Sequence, residues 1–362
     1  MGAEPRVIDT PAAWKGPEID WRREGLHVLT AAEIDEVDAA LRHLRGLGDL
    51  DLPAITPATF PLPTLGAVLA RYRDDLRFGR GFKLLRGLPR ERWSADDIAR
   101  LYYGLGVHIG VPMTQSRQGE RLGHVIDISD VDRTVRGYQF GGGQLMHTDS
   151  CDIIGLMCLR AAKSGGASRI VSSVAVHNEL VRRRPDLARL HYAGFTYRRN
   201  ELDAKLGRGV VVPPVPIASY SLETGEFSSY LGTNYAMMAA KAGDAVLTDL
   251  QREAFDELHR IASSPEFYLD MQIGEGDIQF LNNRLMLHGR TAYEDHPELQ
   301  RRRHMIRLWL QIPQWPALPE RQTVHTAEDR DLWSRFRTPR MELPSHFFAD
   351  VERRRAAAVA IA

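Results

Sequence analysis

The 362-residue chain carries 47 lysines and arginines against 47 aspartates and glutamates, so its formal net charge is zero. This balance, together with the lack of a long basic block, argues against a nucleic-acid-binding protein, because such proteins neutralise phosphates with clustered cations. Hydrophobic residues make up 43% and charged residues 26%, a composition typical of a folded globular protein with one large or two smaller domains.

The N-terminal part of the chain is predicted to be mainly helical. Thr30 and Glu33 form a capping-box pattern, and apolar residues at helical spacing follow them. Further helices are predicted over residues 65–76 and after Ser94, whose side chain suits an N-cap. We expect residues 1–80 to form a helical support region packed on the core.

From residue 81 onward the pattern changes mainly to short strands separated by turns. The predicted strands cover residues 81–87, 124–128, 153–159, 169–173, 267–273, 278–281 and 303–312. Helices are expected over residues 174–184 and after Thr248. Residues 195–245 predict irregular structure with short hairpins, suited to a lid over a substrate. Helices in front of many short strands favour an α+β, mainly β, sandwich.

The compartment and the partners follow from composition and from missing signals. Two cysteines, Cys151 and Cys158, cannot stabilise a chain of this length, and their spacing matches no common zinc motif. No stretch approaches the roughly 18 apolar residues that span a bilayer, and the first residues lack a signal core. We expect a cytoplasmic protein with a small-molecule substrate, no nucleic-acid or membrane partner, and possible homo-oligomers.

A histidine and a carboxylate lie two residues apart in the segment that follows three glycines. In an extended backbone such residues project to the same side, so His147 and Asp149 can converge on one point. They would supply two of the three ligands of a facial triad for non-haem Fe(II). A loop histidine beside a turn-forming aspartate is the simpler alternative, because a chain with 13 histidines and 47 acids contains such pairs by chance.

Two other pairs of this kind are less suited to chelation. His177 and Glu179 fall in a predicted helix, where residues i and i+2 point in nearly opposite directions. His296 and Glu298 lie in a polar loop and are expected to be solvated.

A third ligand and two anion-binding residues can be sought further along the chain. His288 is placed just past the apolar strand 278–281, although a core histidine would also fit there. Arg303 and Arg307 share one face of the last predicted strand. A guanidinium on an inward face needs an anionic partner, and its planar fork suits a carboxylate. Structural salt bridges with acidic side chains are the alternative.

Three features of the sequence together resemble the TauD/TfdA family of Fe(II)- and 2-oxoglutarate-dependent dioxygenases. They are the pair His147 and Asp149, the His288-Gly-Arg-Thr segment, and the strand bearing Arg303 and Arg307. The resemblance extends from about residue 80 to residue 313. Order, spacing and local context all agree with the family.

The resemblance implies a fold and a domain organisation. The core would be a double-stranded β-helix, or jelly roll, with flanking N-terminal and inserted helices. The catalytic domain would span residues 81–315, with 195–245 as the lid or substrate insertion. Residues 316–362 would form a C-terminal extension.

The resemblance also implies the roles of single residues. His147, Asp149 and His288 would be the catalytic metal ligands. Arg303 would bind the distal carboxylate of 2-oxoglutarate, helped by Ser168, which replaces the threonine of the family's Gly-Gly-x-Thr segment.

Arg307 would face the co-substrate or the substrate. Because halogenases of this type lack the carboxylate ligand, Asp149 favours oxygenation. The implied reaction uses O2 and 2-oxoglutarate to hydroxylate an unactivated C–H bond of a small molecule, such as an amino acid or a natural-product intermediate, and releases succinate and CO2.

Two other functions remain open at this stage. A zinc-dependent hydrolase could use the same three ligands, and a non-catalytic jelly-roll binding protein could retain them. Candidate substrate contacts are Tyr138, Gln144, Arg198, Tyr220 and Tyr235.

Overall fold

A computed structural model of the chain describes residues 4–131, 139–199 and 209–361. The α-helices in these residues are α1 (Trp21–Glu24), α2 (Ala31–Gly46), α3 (Leu65–Phe78), α4 (Ala95–Ile109), α5 (Ser173–Arg183), α6 (Pro185–Ala193), α7 (Thr233–Ala242), α8 (Asp249–Ala262), α9 (Ala327–Ser334) and α10 (Pro344–Ile361). None of the helices in the described part of the chain is both long and apolar enough to span a membrane.

Most strands belong to two sheets. The strands are β1 (Leu26–Val28), β2 (Phe82–Arg86), β3 (Val111–Pro112), β4 (Leu122–Val125), β5 (Gln144–His147), β6 (Ile153–Arg160), β7 (Ser164–Gly165), β8 (Ser168–Ser172), β9 (Phe195–Arg198), β10 (Val211–Val215), β11 (Ala218–Tyr220), β12 (Phe227–Ser229), β13 (Tyr268–Met271), β14 (Ile278–Asn282), β15 (Met286–Arg290), β16 (Tyr293–Glu294) and β17 (His304–Gln311). The larger sheet has the order β1-β2-β14-β6-β17-β3, with β4 also on β17, and the smaller has the order β13-β8-β15-β5. Apart from the parallel pair β1 and β2, the neighbours in both sheets are antiparallel.

The two sheets pack against each other through a buried apolar layer. Phe82, Ile154 and Leu281 of the larger sheet meet Ile170 and Met286 of the smaller one. Burial of this apolar area, at about 25 cal/mol per Å², is the main force that holds the layers together. The opposite face of the larger sheet is covered by helices α2, α3 and α4, which form the largest apolar cluster.

The predicted alternation along the last strand is confirmed. Ile306 and Leu308 of β17 lie in the cluster beneath the helices. Arg303, Met305 and Arg307 point to the other side and line a pocket between the sheets. A period of two therefore places the arginines and the core residues on opposite faces.

Several predictions need correction. His288 lies inside strand β15, rather than just past a strand, because a tight turn separates β14 from a second apolar run. Residues 195–245 contain the predicted hairpins but also helix α7, whose alanines and methionines favour helix. Helix α6, which was not predicted, begins at Pro185, a residue that suits the first position of a helix.

The C-terminal residues pack on the rest of the chain. Gln322 bonds to Ser228 of β12, and Asp329 forms an ion pair with Arg199 just after β9. Arg337 pairs with Asp51 near the N-terminal helices. The segment predicted as a lid is thus joined to the C-terminal segment.

Two buried histidines connect β17 to the C-terminal segment and should make the fold acid-sensitive. His124 Nδ1 lies 2.8 Å from His304 Nε2, and His124 Nε2 lies 3.1 Å from the Glu342 carbonyl oxygen. The Phe347 ring stacks on His124. Burial lowers the pKa of His124 to about 3 and that of His304 well below its usual value.

Because both folded-state pKa values are depressed, the unfolded chain binds more protons as the pH falls below about 6.5. The free energy of unfolding should therefore decrease by up to about 1.4 kcal/mol per pH unit for each histidine between about pH 6 and pH 4. Denaturant titrations at several pH values would measure this slope. A His304→Gln variant should show a shallower slope, and an unchanged slope would contradict the assignment.

Candidate functional site

Three side chains that could bind a metal meet beside two neighbouring strands, since His147 ends β5, Asp149 follows it and His288 lies inside β15. His147 ends β5 and lies directly opposite His288 in the ladder between β5 and β15. Their ring centroids are 4.3 Å apart, and Asp149 follows two residues after His147. One donor atom from each of the three side chains lies within 4.8 Å of the others. The sequence therefore brings these residues together as predicted, and the set can hold one metal ion.

Each of the two histidines has one ring nitrogen that could bind a metal. His147 Nδ1 donates to the Leu145 carbonyl oxygen at 2.9 Å, because that oxygen can only accept, and this leaves Nε2 as the ring nitrogen that could be a ligand. Burial lowers the pKa of His288 to about 3, which keeps this imidazole neutral at physiological pH. Its Nδ1 is buried and has no hydrogen-bond partner among the described residues.

The carboxylate of Asp149 is held in its ionised form by two donors. Arg307 Nη1 and Trp309 Nε1 donate to Asp149 Oδ2 at 3.0 Å and 2.9 Å. Burial raises the pKa of Asp149, but the Arg307 guanidinium and the two histidines outweigh it and lower the pKa to about 2. The resemblance predicts that Arg307 faces the co-substrate or the substrate, with a structural salt bridge as the alternative. The structure shows a salt bridge to Asp149 at the edge of the pocket.

The turn between β14 and β15 fixes the loop that carries Asp149. Asn283 Oδ1 accepts a hydrogen bond from the Asp149 amide at 3.0 Å, and its Nδ2 donates to the carbonyl oxygens of Asp149 and Cys151. The next residue, Arg284, forms a buried ion pair with Asp152 at 2.6 Å. Sequence reasoning missed this turn, although three polar residues between two apolar strands were a usable signal.

Beside the triad lies a pocket of about 480 Å³ of empty space. It is lined by residues of both sheets: Val125, Gln144, His147, Leu156, Ser168, Ile273, His288, Gly289, Arg290, Arg303, Met305 and Arg307. The pocket therefore contains two of the triad residues and every residue predicted to contact 2-oxoglutarate.

Arg303 provides the pocket with a buried positive charge that no acid neutralises. Only 8% of the residue is exposed, and its guanidinium forms no ion pair with any acid among the residues that the structure describes. Within the described part of the chain, its side-chain hydrogen bond is a 3.5 Å contact to the Gly166 carbonyl oxygen. Burial, and then the nearby Arg290, lower the pKa of Arg303. An unpaired buried guanidinium is unfavourable, so this wall is suited to an anionic ligand.

Arg290 is a second cation at this wall that sequence reasoning left without a role. It follows His288 by two residues and donates to the carbonyl oxygens of Phe140 and Gly142. Its pKa is also lowered by burial. The His-Gly-Arg-Thr segment contained this residue, but only the structure shows that it faces the pocket.

Ser168 lies at the predicted place, but its hydroxyl has a protein partner. Ser168 Oγ donates to Gln279 Oε1 at 2.7 Å. The hydroxyl must therefore rotate away from Gln279 before it can donate to a ligand.

The candidate substrate contacts are scattered. Gln144 Nε2 lies 3.2 Å from His147 Nε2, at the metal site. Arg198 pairs with Asp244, Tyr220 lies under the Arg6 guanidinium, and Tyr235 stacks near Tyr197. None of these three lines the pocket, and Tyr138 lies outside the described residues.

The comparisons with known proteins agree with this geometry. Residues 48–309 match the family described as "Taurine catabolism dioxygenase TauD, TfdA family". The chain is 27% identical to "FR-33289 synthase" of Streptomyces rubellomurinus over 87% of this chain and 93% of that protein. It is 28% identical to "Uridine-5'-phosphate dioxygenase" of Amycolatopsis sp over 54% of this chain and 73% of that protein.

Solved structures share the fold. An asparagine oxygenase in complex with Fe(II), hydroxyasparagine and succinate superposes with a TM-score of 0.62 at 17% identity, over 79% of this chain and 93% of that one.

Proposed function

Because the chain belongs to the TauD/TfdA family of dioxygenases, whose members use Fe(II) and 2-oxoglutarate, we propose that His147, Asp149 and His288 hold its ferrous ion. Two neutral imidazoles and one carboxylate on one side are the donor set of non-haem Fe(II) oxygenases. The low pKa values of His288 and Asp149 support this assignment, since a ligand must be deprotonated to bind a metal.

The same proposal assigns the architecture. The two largely antiparallel sheets around one buried layer would be the double-stranded β-helix, with the catalytic domain over residues 81–315. Residues 1–80 would support it, and residues 316–362 would close over it. Both cysteines are free and buried, which supports a reducing cytoplasm as the compartment.

The pocket next to the triad would hold 2-oxoglutarate. Arg303 would bind the distal carboxylate, and Arg290 would add a second positive charge at that end. Ser168 would contribute a hydrogen bond after its hydroxyl turns from Gln279. The unpaired, buried guanidinium of Arg303 is the observation that carries this function.

When bound, Fe(II) would supply the oxidising chemistry together with 2-oxoglutarate and O2. In that reaction 2-oxoglutarate becomes succinate and CO2, and one oxygen atom enters a substrate C–H bond. The protein would position the metal ligands and exclude water from the pocket. Arg307 and Trp309 keep Asp149 ionised and fix its orientation. The apolar side chains of Leu156 and Met305 line the pocket and displace water from it.

The substrate would be a small polar molecule with an anionic group, such as an amino acid or a natural-product intermediate, and the product its alcohol. One relative is named for uridine-5'-phosphate, and one structural neighbour holds hydroxyasparagine. Both molecules carry an oxyanion.

An anaerobic titration tests this function. Adding 2-oxoglutarate to the Fe(II)-loaded protein without O2 should produce a weak visible charge-transfer band, and admitting O2 with substrate should yield succinate. A zinc-dependent hydrolase would instead turn over without O2 and would not need Arg303. Activity that persists with Zn²⁺ in the absence of O2 would overturn the proposal, and so would failure to bind Fe(II) and 2-oxoglutarate.

A further inference from the structure

An arginine from outside the family-matched region reaches the loop that carries Asp149. Arg330 belongs to helix α9 and lies beyond residues 48–309. Its guanidinium donates to the carbonyl oxygen of Ser150, the residue after Asp149, and to that of Thr114 at 3.0 Å. The C-terminal segment thus places a cation one residue from a proposed metal ligand.

Arg330 and Arg307 lie near the same indole ring. The guanidinium carbon of Arg330 is 5.8 Å from the centroid of Trp309, and that of Arg307 is 4.7 Å from it. Arg307 and Trp309 both donate to Asp149, whereas no hydrogen bond joins Arg330 to that carboxylate. The negative charge of Asp149 therefore faces Arg307 and the proposed metal ion. The positive charge of Arg330 needs a different anionic partner.

Arg330 forms no ion pair among the residues that the structure describes, although the charges of Asp152 and Asp329 raise its pKa. The two nearby acids have other partners, since Asp152 pairs with Arg284 at 2.6 Å and Asp329 with Arg199 at 3.1 Å.

The other two groups that influence Arg330 are uncharged at neutral pH. Burial raises the pKa values of Cys151 and Tyr230 well above their usual range. Burial also lowers the pKa of Arg330 itself. Among the described residues, the side-chain hydrogen bonds of Arg330 go to two carbonyl oxygens. A positive charge that is partly withdrawn from water and has no ion pair favours the binding of an anion.

We propose that Arg330 binds the oxyanion of the substrate, a carboxylate or a phosphate, beside the metal loop. Arg330 does not line the pocket that contains Arg303, so the two arginines would take two different anions. This inference rests on the proposed function, which assigns Arg303 to 2-oxoglutarate. The C-terminal segment would then take part in recognising the substrate as well as in covering the fold.

The competing explanation is purely structural. By bonding to Ser150 and Thr114, Arg330 would only attach α9 to the core. The two explanations predict different affinities for a pair of ligands that match in shape but differ in charge. Only a substrate-binding Arg330 would make the charged ligand bind more tightly than the uncharged one. The two explanations also differ for Arg330→Lys, which keeps the charge but loses the two-pronged guanidinium.

The experiment uses protein loaded with Fe(II) and 2-oxoglutarate under anaerobic conditions. Calorimetry would measure the binding of uridine-5'-phosphate and of uridine, which lacks the phosphate, with inorganic phosphate and acetate as separate small probes. The wild-type chain should bind at least one of these anions. Tighter binding of uridine-5'-phosphate than of uridine would indicate a phosphate site, and binding of acetate would indicate a carboxylate site. Arg330→Ala should lower that affinity roughly tenfold or more, and Arg330→Lys by less.

Two controls separate the possible failures. Arg335→Ala removes an exposed arginine at the end of the same helix and should leave anion affinity unchanged. The 2-oxoglutarate affinity and melting temperature of Arg330→Ala should stay near the wild-type values. Unchanged anion affinity in Arg330→Ala, or loss of 2-oxoglutarate binding together with it, would overturn the proposal. So would a wild-type chain that binds Fe(II) and 2-oxoglutarate but none of the anions, whereas failure to bind those two would refute the proposed function itself.

Discussion

Asp149→Ala is expected to abolish Fe(II) binding and succinate production together. The substitution removes the single carboxylate of the triad and leaves Arg307 facing two imidazoles, so the site becomes cationic. Loss of outer partners of a metal site typically weakens binding 10- to 100-fold, and loss of the ligand itself should exceed about 100-fold. Anaerobic Fe(II) titration followed by equilibrium dialysis would measure this change.

A matched control is provided by another histidine–acid pair. Glu298 is exposed and follows His296 with the same spacing, so Glu298→Ala should bind Fe(II) like the wild-type chain. Asp149→Asn keeps the shape of the side chain but loses its charge, and should bind Fe(II) weakly. If Asp149→Ala bound Fe(II) with normal affinity, the carboxylate ligand would have to be sought elsewhere.

The parts of this site that follow from local sequence are those set by strand periodicity. Residues i and i+2 of an extended chain share a side, so the pairing of His147 with Asp149 could be predicted before any fold was known. The same rule placed Arg303, which directly precedes β17, on the same side as Arg307. His288 was found by its family context, although its place inside β15 was not.

The parts that could not be predicted depend on contacts between distant segments. Asn283 holds Asp149 across 134 positions, and Arg330 reaches Ser150 across 180. No periodicity encodes which loop such a side chain will meet, because tertiary packing decides it. The partner of the Ser168 hydroxyl could not be predicted for the same reason, since its hydrogen bond to Gln279 depends on how β8 packs against β14.

Arg303→Gln is expected to raise the dissociation constant of 2-oxoglutarate strongly while leaving Fe(II) binding intact. Truncating one partner of a buried charged pair generally costs about 2–5 kcal/mol, which corresponds to about 30-fold or more in affinity. Anaerobic titration of the visible band with 2-oxoglutarate would give the constant. Arg301→Gln, which removes an exposed arginine two residues earlier, should leave it unchanged.

The stability of the same variant gives an independent test of why Arg303 is there. Because Arg303 has no acidic partner among the described residues, removing its charge should not lower the melting temperature of the ligand-free protein and should even raise it slightly. By contrast, removing the charge of Arg284, which pairs with Asp152, should lower the melting temperature. Saturating 2-oxoglutarate should stabilise the wild-type chain but not Arg303→Gln, since a ligand stabilises only the state that binds it. A variant that kept normal 2-oxoglutarate affinity would move the carboxylate anchor to Arg290, the other unpaired guanidinium of the pocket.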